Sequence, residues 1–212
     1  MASVSKPLQT DSFFDHIFQL PEALIAPALQ VSNYAGHFVG GRKPGSETSS
    51  SFRWTEFLQR LSGSNLRMLR FQSDAINQHT TTTKTVVNNI VGLLDLGPDR
   101  SEHLTRVLEA VLTAEAKPDK GQLGYVDLDS TGGSWQYRIH IAYLPEEGAP
   151  EVFHSLVATI KLQADASDVD EESFWWDDLQ KGTSRTLSVV VDVVEFVVRE
   201  DFRDPLESRL IR

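Results

Sequence analysis

The stretch Leu187 to Val198, Leu-Ser-Val-Val-Val-Asp-Val-Val-Glu-Phe-Val-Val, sets β-branched residues on both faces of a period-2 pattern. Leu187, Val189, Val191, Val193 and Val197 point one way, while Val190, Val194, Phe196 and Val198 point the other. Such a run is a strand buried on two sides, so something apolar must cover each face and a three-layer architecture is implied. It is not a membrane-spanning helix, because twelve residues fall short of the ~20 required and Asp192 and Glu195 interrupt them. Roughly 9 to 11 residues do suffice for a tilted strand to cross a bilayer.

Just upstream, Asp165, Asp168, Asp170, Glu171, Glu172, Asp177 and Asp178 surround Phe174-Trp175-Trp176. The carboxylates read as a solvated negative surface without the glycine turn of a calcium loop. Three adjacent aromatics cannot all point inward, which makes Phe174, Trp175 and Trp176 candidates for an interfacial or carbohydrate-binding patch; core anchoring of two of them is the plainer alternative. Further upstream, Val152 to Leu162 reads as a strand with Val152, Leu156, Ala158, Ile160 and Leu162 on its core face and Phe153 and Val157 opposite. Before it, Trp135, Tyr137, Ile139 and Ile141 alternate with Gln136, Arg138 and His140, and Gly132-Gly133 is expected to turn the chain back from a short strand at Tyr125, Val126 and Leu128.

Ahead of these strands the period changes to that of a helix. A threonine tract from Thr80 offers N-caps to a helix carrying Val86, Val87, Ile90, Val91, Leu93 and Leu94, stopped by Gly97-Pro98. Ser101 or Asp99 is expected to cap a second helix with a stripe of Leu104, Val107, Leu108, Val111 and Leu112. The short connection forces an antiparallel hairpin that either covers a sheet or detaches to offer its stripe to another subunit or to lipid. Leu66, Met68 and Phe71 alternate with Arg67 and Arg70 as a strand, and a short helix spans Trp54 to Leu61. Gly40 to Ser51 reads as a loop. From Phe13 to Val39 apolar residues are dense, with Pro21 opening a helix through Leu29 that Pro27 should kink or stop.

The 212 residues, 40% hydrophobic, are enough for one sizeable core, so a single domain over 1–212 is expected, helix-rich over 13–117 and strand-rich over 121–202. Twenty basic against thirty acidic residues give a charge of −10, which argues against nucleic acid and against simple electrostatic capture by anionic lipid. There is no cysteine, hence no thiol nucleophile or thiolate metal site. No signal peptide and no Asn-x-Ser/Thr sequon is recognisable, so export, if it occurs, follows an unconventional route or lysis, with cytoplasmic storage compatible.

Chemistry-bearing motifs are missing: there is no Gly-x-Ser-x-Gly, Walker loop, Gly-x-Gly-x-x-Gly or His-Glu-x-x-His. His16, His37, His79, His103, His140 and His154 show no ligand spacing and read as surface or edge residues. Asp127-Leu-Asp129-Ser-Thr131-Gly132 imitates a calcium loop but ends on Arg138 where a bidentate Glu is needed. No catalytic residue, cofactor or metal is therefore expected.

Ala28-Leu-Gln-Val-Ser-Asn-Tyr-Ala-Gly-His-Phe-Val39, Thr83-Lys-Thr-Val-Val-Asn-Asn-Ile90, Trp135-Gln-Tyr-Arg-Ile-His-Ile141 and the valine run together resemble the Cyt-like family of pore-forming cytolysins. The resemblance implies an α/β fold: a single-domain three-layer α/β/α sandwich with helix layers flanking a mostly antiparallel sheet. It implies a secreted or released monomer that binds membrane phospholipid, self-associates into oligomers and permeabilises the bilayer. On that reading Val86, Val87, Ile90, Leu93, Leu94, Leu104, Val107, Leu108 and Val111 form the oligomerising hairpin, and Leu156, Ile160, Leu162, Val189, Val191, Val193 and Val197 lie on inserting strands. The acidic segment from Asp165 to Asp178 departs from the basic C-terminal segments of some members. The rival expectation is a non-lytic lipid- or carbohydrate-binding protein that uses Phe174 to Trp176 on the same fold.

Overall fold

A computed structural model describes residues 8–9, 13–40, 52–62, 66–80, 82–113, 125–129, 132–146, 149, 151–164 and 185–207. Its elements run β1 (Leu8–Gln9), β2 (Phe14–Phe18), α1 (Glu22–Gly36), α2 (Trp54–Ser62), β3 (Arg67–Thr80), α3 (Thr83–Leu94), α4 (Pro98–Thr113), β4 (Tyr125–Asp129), β5 (Gly132–Tyr143), β6 (Val152–Ala164) and β7 (Arg185–Arg199). The strands form one mixed, mostly antiparallel sheet in the order β1-β2-β5-β6-β7-β3, with β4 also on β5. The short β2, which lies in the dense apolar N-terminal segment, runs parallel to β5 with Phe14 opposite Ile139 and Phe18 opposite Tyr143.

By contacts the chain divides into two compact units, each drawing on segments distant in sequence. In the first (residues 1–72, 138–158 and 193–212), α1 and α2 pack on strand residues Ala142, Phe153, Val157, Val194, Phe196 and Val198. Rings fill the centre: Phe57 lies 5.1 Å from both Phe38 and Phe52, and Tyr34 lies 5.3 Å from Phe38. Pro21 is the N-cap of α1, but Pro27 neither stops nor shortens the helix, which runs on to Gly36. The proline gives up one backbone bond, yet its own ring is buried, as are Leu24, Ala28, Val31, Tyr34 and Ala35 on the same stripe. Burial at about 1.5–3 kcal/mol per large apolar side chain outweighs a proline cost of about 3 kcal/mol.

The charged segment after Arg199 is tied back to α1. His37 Nε2 donates to Asp204 Oδ2 at 2.7 Å, the Leu206 amide donates to Asp204 Oδ1 at 2.7 Å, and the Asp204 amide donates to Gln30 Oε1 at 3.0 Å.

The second unit (residues 73–137 and 159–192) holds the helical hairpin. Thr82 caps α3 by accepting from the Thr85 amide at 3.3 Å. Asp95 ends it in the left-handed region (φ 47), and Gly97 follows with φ 77, which glycine adopts without strain. The second helix begins at Pro98, not at a cap on Asp99 or Ser101, because a proline at the first helical position sacrifices a donor that has no partner anyway. Gly132 and Gly133 are not the turn expected of them; they open β5, opposite Asp129 and Leu128. The third strand reaches nine residues past Phe71 to Thr80, and residues 72–77 alternate between half-buried and exposed.

Along β7 the two-sided burial occurs in succession. Leu187, Val189 and Val191 are buried while Ser188, Val190 and Asp192 are half-buried; Val193 and Val194 are both buried; then Phe196 and Val198 are buried while Glu195 and Val197 are half-buried. The phase of the pattern changes between the two carboxylates.

The tail clamp yields a direct expectation. Asp204→Ala removes a buried acceptor of two hydrogen bonds and should cost about 2–3 kcal/mol, read as a lower midpoint in urea unfolding, whereas Arg203→Ala on the exposed side should leave the midpoint near that of the parent.

Candidate functional site

Period-2 geometry divides each long strand into two faces, and side-chain hydrogen bonds identify which faces correspond. In the first unit Glu195 accepts from Tyr143 Oη at 2.6 Å, His154 Nδ1 at 2.9 Å and Arg70 Nε at 2.9 Å. Tyr143, His154 and Glu195 therefore share one face of β5, β6 and β7. Burial alone would raise the Glu195 carboxyl and is the largest single influence on it. The hydrogen bonds from Tyr143 and His154 and the charge and hydrogen bond of Arg70 together outweigh burial and hold the carboxyl below the ordinary glutamate range.

In the second unit Asp192 accepts from Ser73 Oγ at 2.5 Å and Thr159 Oγ1 at 3.4 Å. Asp192 and Glu195 are three residues apart, so they stand on opposite faces of β7.

The face that carries Glu195 at one end is otherwise apolar. Tyr137, Ile139 and Ile141 of β5, Leu156, Ala158, Ile160 and Leu162 of β6, and Leu187, Val189, Val191 and Val193 of β7 are all at most 1% exposed. The other face is more polar over the same lengths, with Arg138, His140, Thr159, Lys161, Ser188 and Asp192 beside Val157 and Val190.

The structure corrects the expectation that the histidines lie at the surface. His140 is fully buried and His16 is 6% exposed. The His140 ring joins three strands, with Nδ1 donating to Asp15 Oδ1 at 2.7 Å and Nε2 accepting from Ser155 Oγ at 2.7 Å. This is the connectivity of a hydrolytic triad, and it pairs a nucleophile with a base that could not be paired from sequence. Ser155 is 0% exposed in the middle of β6, however, so no substrate carbonyl can reach its Oγ. The network is a buried clamp between β2, β5 and β6.

The sequence-predicted residues fall as follows. Val86, Val87, Ile90, Leu94, Leu104 and Leu108 are buried on the packed α3–α4 hairpin, and Leu93 and Val107 are half-buried. Leu156, Ile160, Leu162, Val189, Val191 and Val193 are buried, whereas Val197 is half-buried beside Glu195. The Val111 side chain, Phe174, Trp175, Trp176 and the acidic segment lie outside the described residues. Asp127 and Asp129 sit in β4, in extended backbone that does not wrap a cation. Among the described residues no group of three His, Asp or Glu is placed to hold a metal, and no helix is long and apolar enough to cross a membrane.

No protein-family model matches the chain, and no curated protein does. The likeness is in structure. A delta-endotoxin superposes with a TM-score of 0.64 at 15% identity, covering 93% of this chain and 89% of that one. The activated Cyt2Ba monomer from Bacillus thuringiensis subsp. israelensis superposes with a TM-score of 0.62 at 16% identity, covering 91% and 100%. The chain therefore has the Cyt-type α/β fold.

Two measurements follow from this geometry. Because the Glu195 carboxyl is depressed, its contribution to stability is present above the unfolded-state value and is lost as pH falls through the folded one. Glu195→Gln should melt below the parent at pH 7, and the two melting curves should converge as pH drops below about 4. Ser155→Ala should hydrolyse an activated ester no more slowly than the parent, and a serine-dependent rate would show that the buried triad is reached by substrate.

Proposed function

We propose that this protein is a pore-forming cytolysin that binds membrane phospholipid as a soluble monomer, oligomerises and permeabilises the bilayer without enzymatic chemistry. The observation that carries this reading is the contrast between the two faces of β5, β6 and β7 over these lengths, one wholly apolar and the other largely polar. A strand assembly in lipid needs that pattern, with apolar side chains toward the acyl chains and polar ones toward a wet lumen. The Cyt-type fold supports the reading by analogy. The finer placing beside the basidiomycete haemolysin volvatoxin A2, a fungal haemolysin, rests only on the sequence strings that suggested the family.

The crossing segments in this mechanism are about ten residues of each strand, close to the 9–11 that a tilted strand needs. They end at the level of Tyr143, His154 and Glu195, whose polar cluster sits at the membrane border. Asp192, on the opposite face, lines the lumen. One strand cannot turn both carboxylates to the lumen, and this assignment removes the need to bury either in hydrocarbon. Val197, past Glu195, lies outside the crossing band.

For the apolar face to meet lipid, the buried side chains of α3 and α4 must find a new apolar surface. Exposing Val86, Val87, Ile90, Leu94, Leu104 and Leu108 to water would cost on the order of 10–15 kcal/mol. The hairpin is released only where lipid or a neighbouring subunit receives that stripe. The molecule acts outside its cell of origin, at the target-cell membrane.

Purified protein titrated onto phosphatidylcholine and mixed-lipid vesicles should release entrapped dye and leave membrane-bound oligomers. No release at any accessible pH would overturn the proposal. Lys161→Glu, at an exposed position on the polar face, should shift planar-bilayer conductance toward cations and change dye release by no more than about twofold.

A further inference from the structure

The aromatic cluster of the first unit reaches the surface beside the start of α2. The Trp54 ring lies 4.7 Å from Phe52 and 6.1 Å from Phe57, both buried, and 5.7 Å from Phe71, which is 42% exposed. Period-2 geometry sets Arg67, Leu69 and Phe71 on one face of β3, the face that meets Trp54. Leu69 is also 42% exposed, Arg67 is exposed and Trp54 is half-buried. An apolar surface of Trp54, Leu69 and Phe71 therefore meets solvent, with a guanidinium next along the strand. The local charge is the inverse of the chain's. Residues 52–72 carry Arg53, Arg60, Arg67 and Arg70 against one carboxylate, Glu56, in a chain with thirty acidic and twenty basic residues. Two of these arginines are engaged within the fold. Arg53 donates to Glu56 Oε2 at 2.7 Å and to the His37 carbonyl at 2.6 Å, and Arg70 donates to Glu195 at 2.9 Å. Arg60 and Arg67 are exposed.

We propose that this face is the surface by which the soluble monomer first docks on a phospholipid bilayer. Leu69, Phe71 and the rim of Trp54 enter the boundary between headgroups and acyl chains, and Arg67 pairs with lipid phosphodiesters. The proposal rests on the membrane-acting reading above and adds the orientation of first contact, before any strand inserts. A bilayer surface presents phosphates directly above an apolar layer, and aromatic and aliphatic side chains beside an arginine match both levels. The guanidinium binds phosphate bidentately and is weakly hydrated, so it leaves bulk water at less cost than an ammonium would. The overall charge of −10 opposes long-range capture by anionic lipid. Contact is therefore local and largely apolar, and zwitterionic phosphatidylcholine is a sufficient target. A second copy docked face to face would instead set the two Arg67 side chains against each other, like charge on like.

Flotation of the full chain with phosphatidylcholine vesicles reads docking whether or not a pore forms. Leu69→Ser and Phe71→Ser should each weaken binding about fivefold, since much of each side chain is already covered before contact. Arg67→Glu should weaken it about fivefold or more. Met68→Ser, 45% exposed but on the opposite face of β3, should bind as the parent does. All four variants should keep the parent's circular dichroism spectrum. The chain has no cysteine, so an introduced thiol reports a single position. A polarity-sensitive fluorophore on Leu69→Cys should shift to the blue on vesicle binding, and one on Met68→Cys should not. The proposal is overturned by a parent that does not float, by a Leu69→Ser/Phe71→Ser double variant that floats like the parent, or by Met68→Ser proving as harmful as Phe71→Ser. A parent dimer in lipid-free solution that Phe71→Ser dissociates would give the face to a second copy and overturn it too. Binding that depends on Leu69 and Phe71 without dye release would support the docking face and overturn the pore. Undiminished dye release by the double variant would support the pore and overturn the docking face.

Discussion

Everything in this fold depends on β7 having two apolar faces that need cover at different points along its length. A strand has one side chain per face every two residues, so a helix layer laid on one face does nothing for the other. The chain meets this constraint with α1 and α2 over Val194, Phe196 and Val198 in one compact unit, while Leu187, Val189 and Val191 are buried in the other unit, which contains α3 and α4. Half-buried Asp192 and Glu195 flank the point where the burial pattern changes phase, each held by hydrogen bonds from its own neighbours. The two acidic residues that seemed to interrupt an apolar run are its boundary markers.

Polar residues elsewhere in the interior serve the same end. Asp15, His140 and Ser155 link β2, β5 and β6 with short bonds, and a buried carboxylate deprived of its histidine would be strongly destabilising. His37 and Asp204 fasten the end of the described chain to α1 in a similar way. Asp15–His140 and His37–Asp204 each join segments more than a hundred residues apart, so they fix tertiary arrangement and not local structure.

Much of this architecture could be read from the sequence, because it rests on local signals. The threonine cap of α3, the Gly97-Pro98 stop, the alternation in β5 and β6 and the double valine faces are all short-range patterns, and each is present in the structure. Three local readings failed. The second helix starts at Pro98 and not at a cap on Asp99 or Ser101. Pro27 looked like a stop because proline's cost is local, but the burial that offsets it is tertiary. Gly132 and Gly133 looked like a turn because glycine pairs often are, but the register with β4 places them inside a strand. The rest was out of reach for a physical reason. The partners of His140 lie 125 and 15 residues away, and nothing around Asp15 or Ser155 announces that they will meet. The polar end of β3 lacked the apolar alternation by which strands are recognised, since an edge strand has little to bury.

The sheet order also has a consequence for biosynthesis. The last of the described strands, β7, lies between β6 and β3, so among the described strands β3 has no neighbour in the sheet until residue 199 has emerged. At typical elongation rates of about 5–20 residues per second, the roughly hundred residues between them take about 5–20 s. The helical hairpin, built from contacts close in sequence, forms within that interval far faster than the strands can pair. The nascent chain therefore waits with its local modules folded, and the valine strand completes the described sheet by joining β3 to β6.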